Sequence, residues 1–312
     1  MALRVARAHP AATGIHLFEL RHPEGSELPP FTAGAHLTVR SPNGSLRKYS
    51  LCNDPAERDR YVIAVKRDPA GRGGSVDLVD HTKAGDLVEV SAPHNAFELA
   101  ERAPGFILIA GGIGITPIMA MARRLNAEGR RYRLYYLTRS PETTAFRDEL
   151  AGEEFHGKVV IHHDQGDPVN SFDLWSVLEK PSAAHVYCCG PRPLLEAVRD
   201  MTGHWPTAAI HFESFLDAAA AQRPEDRVFT VVLSHSGERI EVPPGVSILE
   251  AMRERGFDAP SSCESGTCGT CRTHLLAGEA DHRDLVLMEH EKAGQVMICV
   301  SRALSPELVI DR

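Results

Sequence analysis

The chain has 312 residues, which is enough for two or three domains of ordinary size. Hydrophobic residues make up 43% of it and charged residues 24%, a composition typical of a soluble globular protein. The net charge is −8 and there is no basic tract, so nucleic acid is not expected as a partner.

The sequence predicts neither a membrane partner nor secretion. No apolar run approaches the roughly 20 residues of a membrane span, and the N-terminus lacks the long apolar core of a signal peptide. The cysteine count, seven, is odd, and the adjacent Cys188 and Cys189 are not expected to pair with each other. Because this usage is typical of a reducing cytosol, we expect a cytoplasmic protein.

The first hundred residues predict a small antiparallel β-barrel. Apolar and polar residues alternate, as in half-buried strands, over 15–20, 36–40, 61–66 and 87–90. Many short strands separated by turn residues favour a barrel, which we assign to residues 1–102.

One segment of this barrel is a candidate for holding a flat anionic cofactor. Arg47 could face a phosphate, Tyr49 could lie against a ring, and Ser50 could hydrogen-bond a ring nitrogen. An ordinary barrel strand that carries an arginine and a tyrosine is the alternative, because motifs this short occur by chance.

A second segment of the barrel is glycine-rich and opens a predicted helix over 76–80. Backbone N–H groups and the helix dipole attract phosphate at such a position. Gly73, Gly74 and Ser75 would form the cradle, with Lys66 or Arg72 nearby. An ordinary turn with Ser75 as the helix cap is the alternative.

Residues 103–216 alternate strand and helix, which predicts a parallel sheet with helices on its faces. The expected strands cover 106–110, 132–137, 159–162 and 184–188, and the expected helices cover 118–125, 146–150 and 174–178. The first strand is followed by a glycine turn, Gly112-x-Gly114, that opens a helix as dinucleotide-binding motifs do. Pro117 stands where the standard pattern has a third glycine, and Thr116 is expected to cap the helix.

A second glycine turn, Cys189-Gly190-Pro191, ends the last of these strands. Ligands bind beyond the carboxyl ends of strands in open α/β sheets, so both turns could face one nicotinamide dinucleotide. Cys189 is a candidate for the nicotinamide pocket, with a small buried residue as the alternative. In the segment Thr138-Arg139-Ser140, the arginine could accept a 2′-phosphate.

Residues 217–226 are alanine-rich and polar, and they predict a linker to a third domain over 227–312. A hairpin of strands 228–233 and 239–242 and a helix over 247–255 are expected in that domain. The most specific motif of the chain, C-x4-C-x2-C with a distant fourth cysteine, follows the helix. This is the ligand spacing of a plant-type [2Fe–2S] cluster. The four cysteines are Cys263, Cys268, Cys271 and Cys299.

The alternative for these cysteines is a structural zinc site. Zinc prefers two short C-x2-C hooks, whereas this chain has one. Gly266 and Gly269 would let the loop wrap a cluster and direct backbone N–H groups at sulfur. The spacing therefore favours the cluster.

Taken in order, five motifs resemble those of the phthalate dioxygenase reductase family over essentially the whole chain. They are R-x-Y-S-L, G-R-G-G-S, A-G-G-I-G-I-T-P, C-G-P and the ferredoxin cysteines. The resemblance implies a multidomain fold, with an FMN-binding antiparallel barrel, an α/β NADH-binding domain and an α+β plant-type ferredoxin domain. It further implies that electrons pass from NADH through FMN to the [2Fe–2S] cluster, and then to a separate Rieske-type oxygenase.

The motifs and the resemblance together identify the candidate site residues. Those expected to hold FMN are Arg47, Tyr49, Ser50, Leu51, Lys66, Gly73, Gly74 and Ser75. Those expected to hold the pyridine nucleotide are Gly112, Gly114, Thr116, Thr138, Arg139, Ser140, Cys189, Gly190 and Pro191. The candidates for the reaction itself are Ser50, Cys189 and Phe215. Phe215 or Phe212 would shield the flavin until nicotinamide arrives, with ordinary core packing as the alternative.

Three further predictions choose between two alternatives each: the flavin, the nucleotide and the role of one charged segment. FMN is favoured over FAD because the phosphate loop is compact and no separate adenosine pocket is apparent. NADH is favoured over NADPH by the resemblance, although Arg139 would suit a 2′-phosphate. The segment Asp281-His282-Arg283 could be a docking patch, but a solvated turn is favoured because charge runs usually lie in water.

Three rival functions remain. The acceptor could be a separate cytochrome P450. The chain could instead be a free-standing NADH-dependent reductase of flavins, ferric iron or dyes, for which a low-potential cluster would be superfluous. A redox-sensing iron–sulfur binding protein is the non-enzymatic alternative, and it would need no intact nucleotide loop.

Overall fold

The computed structural model of the chain describes residues 1–71, 73–215, 223 and 225–312. By its internal contacts the chain divides into two compact units, Met1–His211 and Phe212–Arg312, and each is described by itself. Most of the predicted linker 217–226, and Arg72 of the glycine-rich loop, lie outside the described residues. Within the described ranges, no helix has the length and apolar character that a membrane crossing requires.

The first hundred residues form the antiparallel β-structure that their alternation predicts. The elements are β1 (Ala2–Ala12), β2 (Ile15–Arg21), β3 (His36–Arg40), β4 (Leu46–Ser50), β5 (Tyr61–Lys66), α1 (Gly74–His81) and β6 (Leu87–Glu89). One sheet has the order β5-β2-β1-β6, and β3 and β4 form a separate hairpin. Single bridges join Val39 to Val90 and Leu51 to Ile63, so the hairpin spans the two edges of the sheet and curls it toward a barrel.

Strand β1 is one of the elements that the sequence did not predict. It contains Pro10, which has no backbone N–H to donate to a neighbouring strand and therefore predicts an interruption of the strand. In the structure, β6 pairs with β1 only over residues 2–4, so one edge of β1 is open at Pro10 and the proline is tolerated.

The nucleotide-domain prediction is confirmed as a sheet with helical crossovers. The elements are β7 (Phe106–Gly111), α2 (Ile115–Ala127), β8 (Tyr132–Thr138), α3 (Arg147–Leu150), β9 (Val159–His163), α4 (Trp175–Leu178), β10 (His185–Cys189), α5 (Arg192–Met201) and β11 (Ile210–Glu213). The sheet order is β11-β10-β7-β8-β9, and β10, β7, β8 and β9 run parallel. A 3-10 turn, Gly112–Gly114, connects β7 to α2.

Barrel and sheet share one hydrophobic core within the first unit. Ile15, Cys52 and Phe97 belong to the same buried cluster as Leu108 of β7 and Met119 of α2. Because burial of apolar area is the main stabilising term in folding, this common core holds the two parts together. The boundary that we place between residues 102 and 103 stays a prediction.

The second unit contains a mixed sheet of order β13-β12-β18-β14-β16, with a small ladder of β15 and β17 beside it. Its elements are β12 (Phe229–Leu233), β13 (Arg239–Val242), α6 (Ile248–Glu254), β14 (Arg272–Ala277), β15 (Ala280–Asp281), β16 (Gln295–Met297), β17 (Arg302–Ala303) and β18 (Glu307–Ile310). The predicted hairpin and helix are confirmed. Ser247 starts α6 through a capping box with Glu250. The Ser247 hydroxyl accepts from the Glu250 N–H, and the Glu250 carboxylate accepts from the Ser247 N–H.

A buried ion cluster corrects the interpretation of Asp281-His282-Arg283 as a solvated turn or docking patch. The Arg283 side chain is only 3% exposed and that of Asp226 only 4%. Arg283 donates from Nη1 and Nη2 to the two oxygens of Asp226, at 2.9 and 2.5 Å, and from Nε to Asp281 at 2.8 Å. Arg302 lies 3.6 Å from the same Asp226 carboxylate. The charge run is therefore interior, and the last residue of the predicted linker is anchored in the second unit.

Candidate functional site

The four candidate cluster ligands meet in the second unit. Cys263, Cys268 and Cys271 lie on the loop before β14, and Cys299 lies on the turn after β16. Cys271 and Cys299 are buried, whereas Cys263 and Cys268 are half-buried, so the loop side of the site is nearer to solvent. All four are free cysteines.

Within the part of the chain that the structure describes, the four cysteines lie as two neighbouring pairs, Cys263 with Cys268 and Cys271 with Cys299. The hydrogen bond from Cys268 lowers the pKa of Cys263, and the hydrogen bond with Cys299 lowers the pKa of Cys271. Two pairs of cysteines match a [2Fe–2S] cluster, in which each of two irons would take two protein ligands. The residues therefore fit a [2Fe–2S] cluster.

The backbone of the cysteine loop needs glycine at Gly266. Its φ is +74°, and a Cβ there would lie 2.7 Å from Val300 Cγ2 and 3.1 Å from Asp284 Cα. The carbonyl of Gly266 accepts from Leu285 N at 2.9 Å, which closes the loop against the following segment. The cysteines are thus held on a loop that is fixed by tight packing.

The two phosphate-seeking segments of the barrel come together in the first unit. A Cβ on Gly74, the first residue of α1, would lie 3.0 Å from Arg47 Cγ, so the arginine stem packs on this glycine. Asn43, in the β3–β4 turn, donates its N–H to Asp77 of α1 at 2.7 Å and ties the helix to the hairpin. A guanidinium and a helix N-terminus therefore meet at one place, which suits a phosphate.

Tyr49 offers a polar group that lacks a partner. Its hydroxyl is buried and has no hydrogen-bond partner among the described residues. Burial raises the pKa of Tyr49 to about 12, so the hydroxyl keeps its proton as a donor at neutral pH. Buried polar groups are normally paired, and an orphaned one at this position suits a bound group that supplies the acceptor.

The remaining barrel candidates lie around this place with different exposures. Ser50 and Leu51 are buried, and Lys66 is exposed at the end of β5. Ser75 is not the helix cap: its hydroxyl accepts from Asp68 N at 3.1 Å, and Gly73, at φ +81°, is the N-cap residue. The N–H groups at the start of α1 are therefore not occupied by a described cap.

The two glycine turns of the nucleotide domain touch backbone to backbone. A Cβ on Gly114 would lie 2.1 Å from the carbonyl oxygen of Cys189, and one on Gly190 would lie 3.0 Å from Gly111 Cα. Because β7 and β10 are parallel neighbours, both turns lie at the carboxyl edge of the sheet. This is the edge at which open α/β sheets bind ligands, as the sequence predicted.

The start of α2 has no side-chain cap among the described residues, and Thr116 does not cap it. The Thr116 hydroxyl donates to Ile113 O at 3.1 Å, and no described side chain caps the helix at Gly114. The expected cap is therefore wrong. The first N–H group of α2, that of Ile115, donates to the carbonyl of Gly112, so a diphosphate would meet a helix start that lacks only a side-chain cap.

At the end of β8, the three adenosine-side candidates differ. The Thr138 hydroxyl is already shared with Thr144 and His163, each at 2.8 Å, so its role is structural in part. Arg139 is exposed and Ser140 is half-buried. The sequence does not predict His163 as the partner of Thr138, because their contact depends on the register between β8 and β9.

Cys189 is fully buried at the end of β10, and Pro191 starts α5 as its N-cap residue. Phe215 is 43% exposed, so the alternative that it is an ordinary core residue is wrong, while Phe212 is half-buried in β11.

Arg123 of α2, which sequence reasoning did not single out, reaches the barrel at the carbonyl of Cys52. Its sequence context carried no signal, since its partner lies 71 residues away.

Comparison with known families agrees with two of the three predicted domains. The family described as "Oxidoreductase NAD-binding domain" matches residues 108–200. The family described as "2Fe-2S iron-sulfur cluster binding domain" matches residues 231–304. The second match covers the three candidate cluster cysteines on the loop and the fourth after β16.

Full-length relatives extend the similarity to the barrel. The chain is 59% identical to the phthalate dioxygenase reductase of Burkholderia cepacia over 313 residues, covering 100% of this chain and 97% of the relative. A solved structure of a phthalate dioxygenase reductase, described as modular for electron transfer from pyridine nucleotides to [2Fe–2S], is 58% identical with a TM-score of 0.73 and covers 100% and 98% of the two chains. An intact type IV self-sufficient cytochrome P450 monooxygenase is 37% identical with a TM-score of 0.72, covering 100% of this chain and 41% of that one.

Proposed function

The chain belongs to the phthalate dioxygenase reductase family, and we propose that it carries electrons from NADH through FMN to a [2Fe–2S] cluster and on to a separate Rieske-type oxygenase. The observation that carries the proposal is the pairing of two sites in the first unit. A phosphate site at Arg47 and Gly74 occurs in the same unit as the two touching glycine turns. When bound, FMN accepts a hydride from the nicotinamide and releases its electrons one at a time, as a one-electron cluster requires.

Residues of the barrel would hold the flavin. Arg47 and the open start of α1, at Gly73, Gly74 and Ser75, would bind the phosphate with Lys66 nearby. The unpartnered Tyr49 hydroxyl would donate to the bound group, while Ser50 and Leu51 would line the ring. The compact phosphate loop favours FMN, and FAD is the alternative.

Residues of the sheet edge would hold the nucleotide. Gly112, Gly114 and the start of α2 at Thr116, which has no side-chain cap, would receive the diphosphate, and Cys189, Gly190 and Pro191 would border the nicotinamide. Thr138, Arg139 and Ser140 would lie on the adenosine side, where exposed Arg139 keeps NADPH as the alternative to NADH. Cys189 and Ser50 would flank the reacting rings, and Phe215 keeps the shielding role that the family resemblance implies.

The oxygenase partner and its substrate are not identified by this chain. Similarity to the self-sufficient P450 keeps a separate P450 as the second candidate acceptor. A free-standing NADH-dependent reductase of flavins or dyes and a redox-sensing protein are the further alternatives. None of the seven cysteines forms a disulfide, which supports our proposal of a cytoplasmic location.

Anaerobic titration of the purified protein with NADH tests the proposed function. Both the flavin and the iron–sulfur bands should bleach, and NADPH should give the same change only at much higher concentration. Bleaching of the flavin alone, with an intact oxidised cluster, would favour the free-standing reductase. An intact, flavin-loaded protein that NADH does not reduce would contradict the proposal.

Alanine at Gly114 should disrupt nucleotide binding. The added Cβ would lie 2.1 Å from the carbonyl oxygen of Cys189 and 2.8 Å from Gly190 N, both backbone atoms, so the two turns must separate. We expect a loss of about 1–3 kcal/mol in the free energy of unfolding, typical of overpacking, and an NADH dissociation constant raised about tenfold, which equals about 1.4 kcal/mol. Fluorescence titration with NADH and urea unfolding measure the two effects.

Gly105→Ala is the matched control for this substitution. A Cβ there would make only ordinary contacts, with Arg131 O at 3.6 Å and Ala184 Cβ at 3.9 Å. Nucleotide affinity should stay at the wild-type value in this control. Equal affinity in Gly114→Ala and wild type would show that the contact between the turns is not needed for binding.

A further inference from the structure

Arg123 makes a contact between the two parts of the first unit that the cofactor motifs do not explain. It lies on α2, two helical turns beyond Thr116, and its side chain is 18% exposed. From Nη1 it donates to the backbone carbonyl of Cys52 in the barrel. Cys52 comes directly after the segment Arg47 to Leu51 that we propose to hold the flavin. One guanidinium thus connects the nucleotide helix with the end of the flavin segment.

The guanidinium is held in place from its other side. Arg123 donates from Nε and Nη2 to Glu149 Oε1, at 3.1 and 2.5 Å. Phe146, which precedes α3, contacts it through the ring, with the guanidinium carbon 5.9 Å from the ring centroid. Phe146 has φ +59°, a left-handed conformation that non-glycine residues rarely adopt. The support for Arg123 therefore includes a carboxylate and an aromatic ring on a constrained backbone.

The carbonyl that Arg123 reaches belongs to a firmly hydrogen-bonded part of the barrel. Cys52 donates its N–H to Val62 O at 2.9 Å, and Leu51 donates its N–H to Ala35 O at 2.8 Å. Both residues are fully buried. A displacement of the Cys52 carbonyl would therefore be transmitted to Ser50 and Tyr49 through the adjoining backbone.

We propose that Arg123 is a positioning residue, which sets the nucleotide helix against the flavin segment so that the two bound rings meet in the geometry needed for hydride transfer. This inference rests on the proposed function. Arg123 contacts neither ring, and it acts through the carbonyl of Cys52 and through the direction of α2. Small errors in the alignment of reacting groups reduce rates strongly, whereas binding of each cofactor to its own half of the unit needs no such alignment.

The test compares Arg123→Ala and Arg123→Lys with the neighbouring Arg124→Ala. Arg124 is a matched control because it pairs with Glu128, the C-cap residue of the same helix. We expect Arg123→Ala to lower the limiting rate of flavin reduction by NADH, in anaerobic stopped-flow, by about tenfold or more. The NADH dissociation constant should stay within about twofold, since an interaction that serves only alignment affects the rate and not the binding. Arg123→Lys should recover part of the rate, and Arg124→Ala should keep all of it.

A second readout needs no bound cofactor. In cofactor-free protein, backbone hydrogen exchange of residues 51–52 should become faster in Arg123→Ala but not in Arg124→Ala, because their amides report the opening of this part of the barrel. If Arg123→Ala does not hold flavin, Glu149→Gln weakens the support of Arg123 and should give a smaller change in the same direction. Wild-type values of both rate and exchange in the Arg123 variants would overturn the inference, whereas failure of the wild type to reduce its flavin would instead overturn the proposed function.

Discussion

Cys271→Ser should abolish electron delivery through the cluster while leaving flavin reduction by NADH unchanged. Cys271 is buried, and its sulfur pairs with that of Cys299, so its loss would remove one of the four ligands that would hold the cluster. A serine oxygen is a harder ligand than a thiolate and is poorly suited to this cluster. Loss of a supporting interaction alone typically costs about 10–100-fold in metal affinity, so loss of a ligand should lower NADH-dependent cytochrome c reduction by at least about 100-fold.

The measurement separates flavin reduction by NADH from electron transfer through the cluster. Stopped-flow absorbance follows the flavin, and the iron–sulfur bands and cytochrome c reduction follow the cluster. Cys188→Ala is the matched control, because Cys188 is equally buried but lies in the nucleotide sheet and has no place in the cluster pairs. If Cys271→Ser reduced cytochrome c as fast as the wild type, electrons would leave directly from the flavin, and the free-standing reductase would become the better interpretation.

The cofactor motifs could be predicted from the sequence because ligand chemistry fixes their spacing. Three thiolates on one loop need Cys263, Cys268 and Cys271 at short intervals, whatever the surrounding fold. In the same way, the close approach of two turns requires Gly114 and Gly190. Such local constraints leave a trace in the chain, and the structure brings each of these groups together.

Features that depend on distant partners left no such trace. Arg283 and Asp226 are 57 positions apart, and only the folded chain shows that a run of charges is interior. The cap expected at Thr116 is wrong, and so is the cap considered as the alternative at Ser75. Thr116 and Ser75 look like caps by position, but each bonds a backbone group of the preceding loop. A short polar side chain has several backbone partners within reach, and the loop conformation selects among them.

Asp226→Asn should destabilise the second unit by about 3 kcal/mol, at the lower end of the range for breaking a buried ion pair. The substitution leaves the guanidinium groups of Arg283 and Arg302 buried with less compensating charge. Arg302 also lies over the Phe229 ring, with its guanidinium carbon 5.0 Å from the centroid, so it has little room to move toward water. Asp281 stays beside Arg283 and keeps the loss below the upper end of the range.

The pH dependence gives this prediction a distinct signature. The hydrogen bond from Arg283 lowers the pKa of Asp226 below its usual value. The unfolded chain therefore binds a proton at Asp226 more readily than the folded chain does, and the contribution to stability is complete above the unfolded pKa of about 3.9 and lost as pH falls through the folded pKa. Asparagine does not titrate, so the variant should lose less additional stability than the wild type when acidified through this window.

Urea unfolding, followed through circular dichroism, measures both effects. Glu307→Gln is the control, because Glu307 forms an ion pair with Arg239 at the surface and should contribute less than about 1 kcal/mol. A double substitution of Asp226 and Arg283 should cost less than the sum of the two single ones, since the second removes a charge that the first has left unpaired. Equal stability of Asp226→Asn and Glu307→Gln would mean that the interior cluster is satisfied without Asp226, and that the end of the predicted linker is anchored by its neighbours alone.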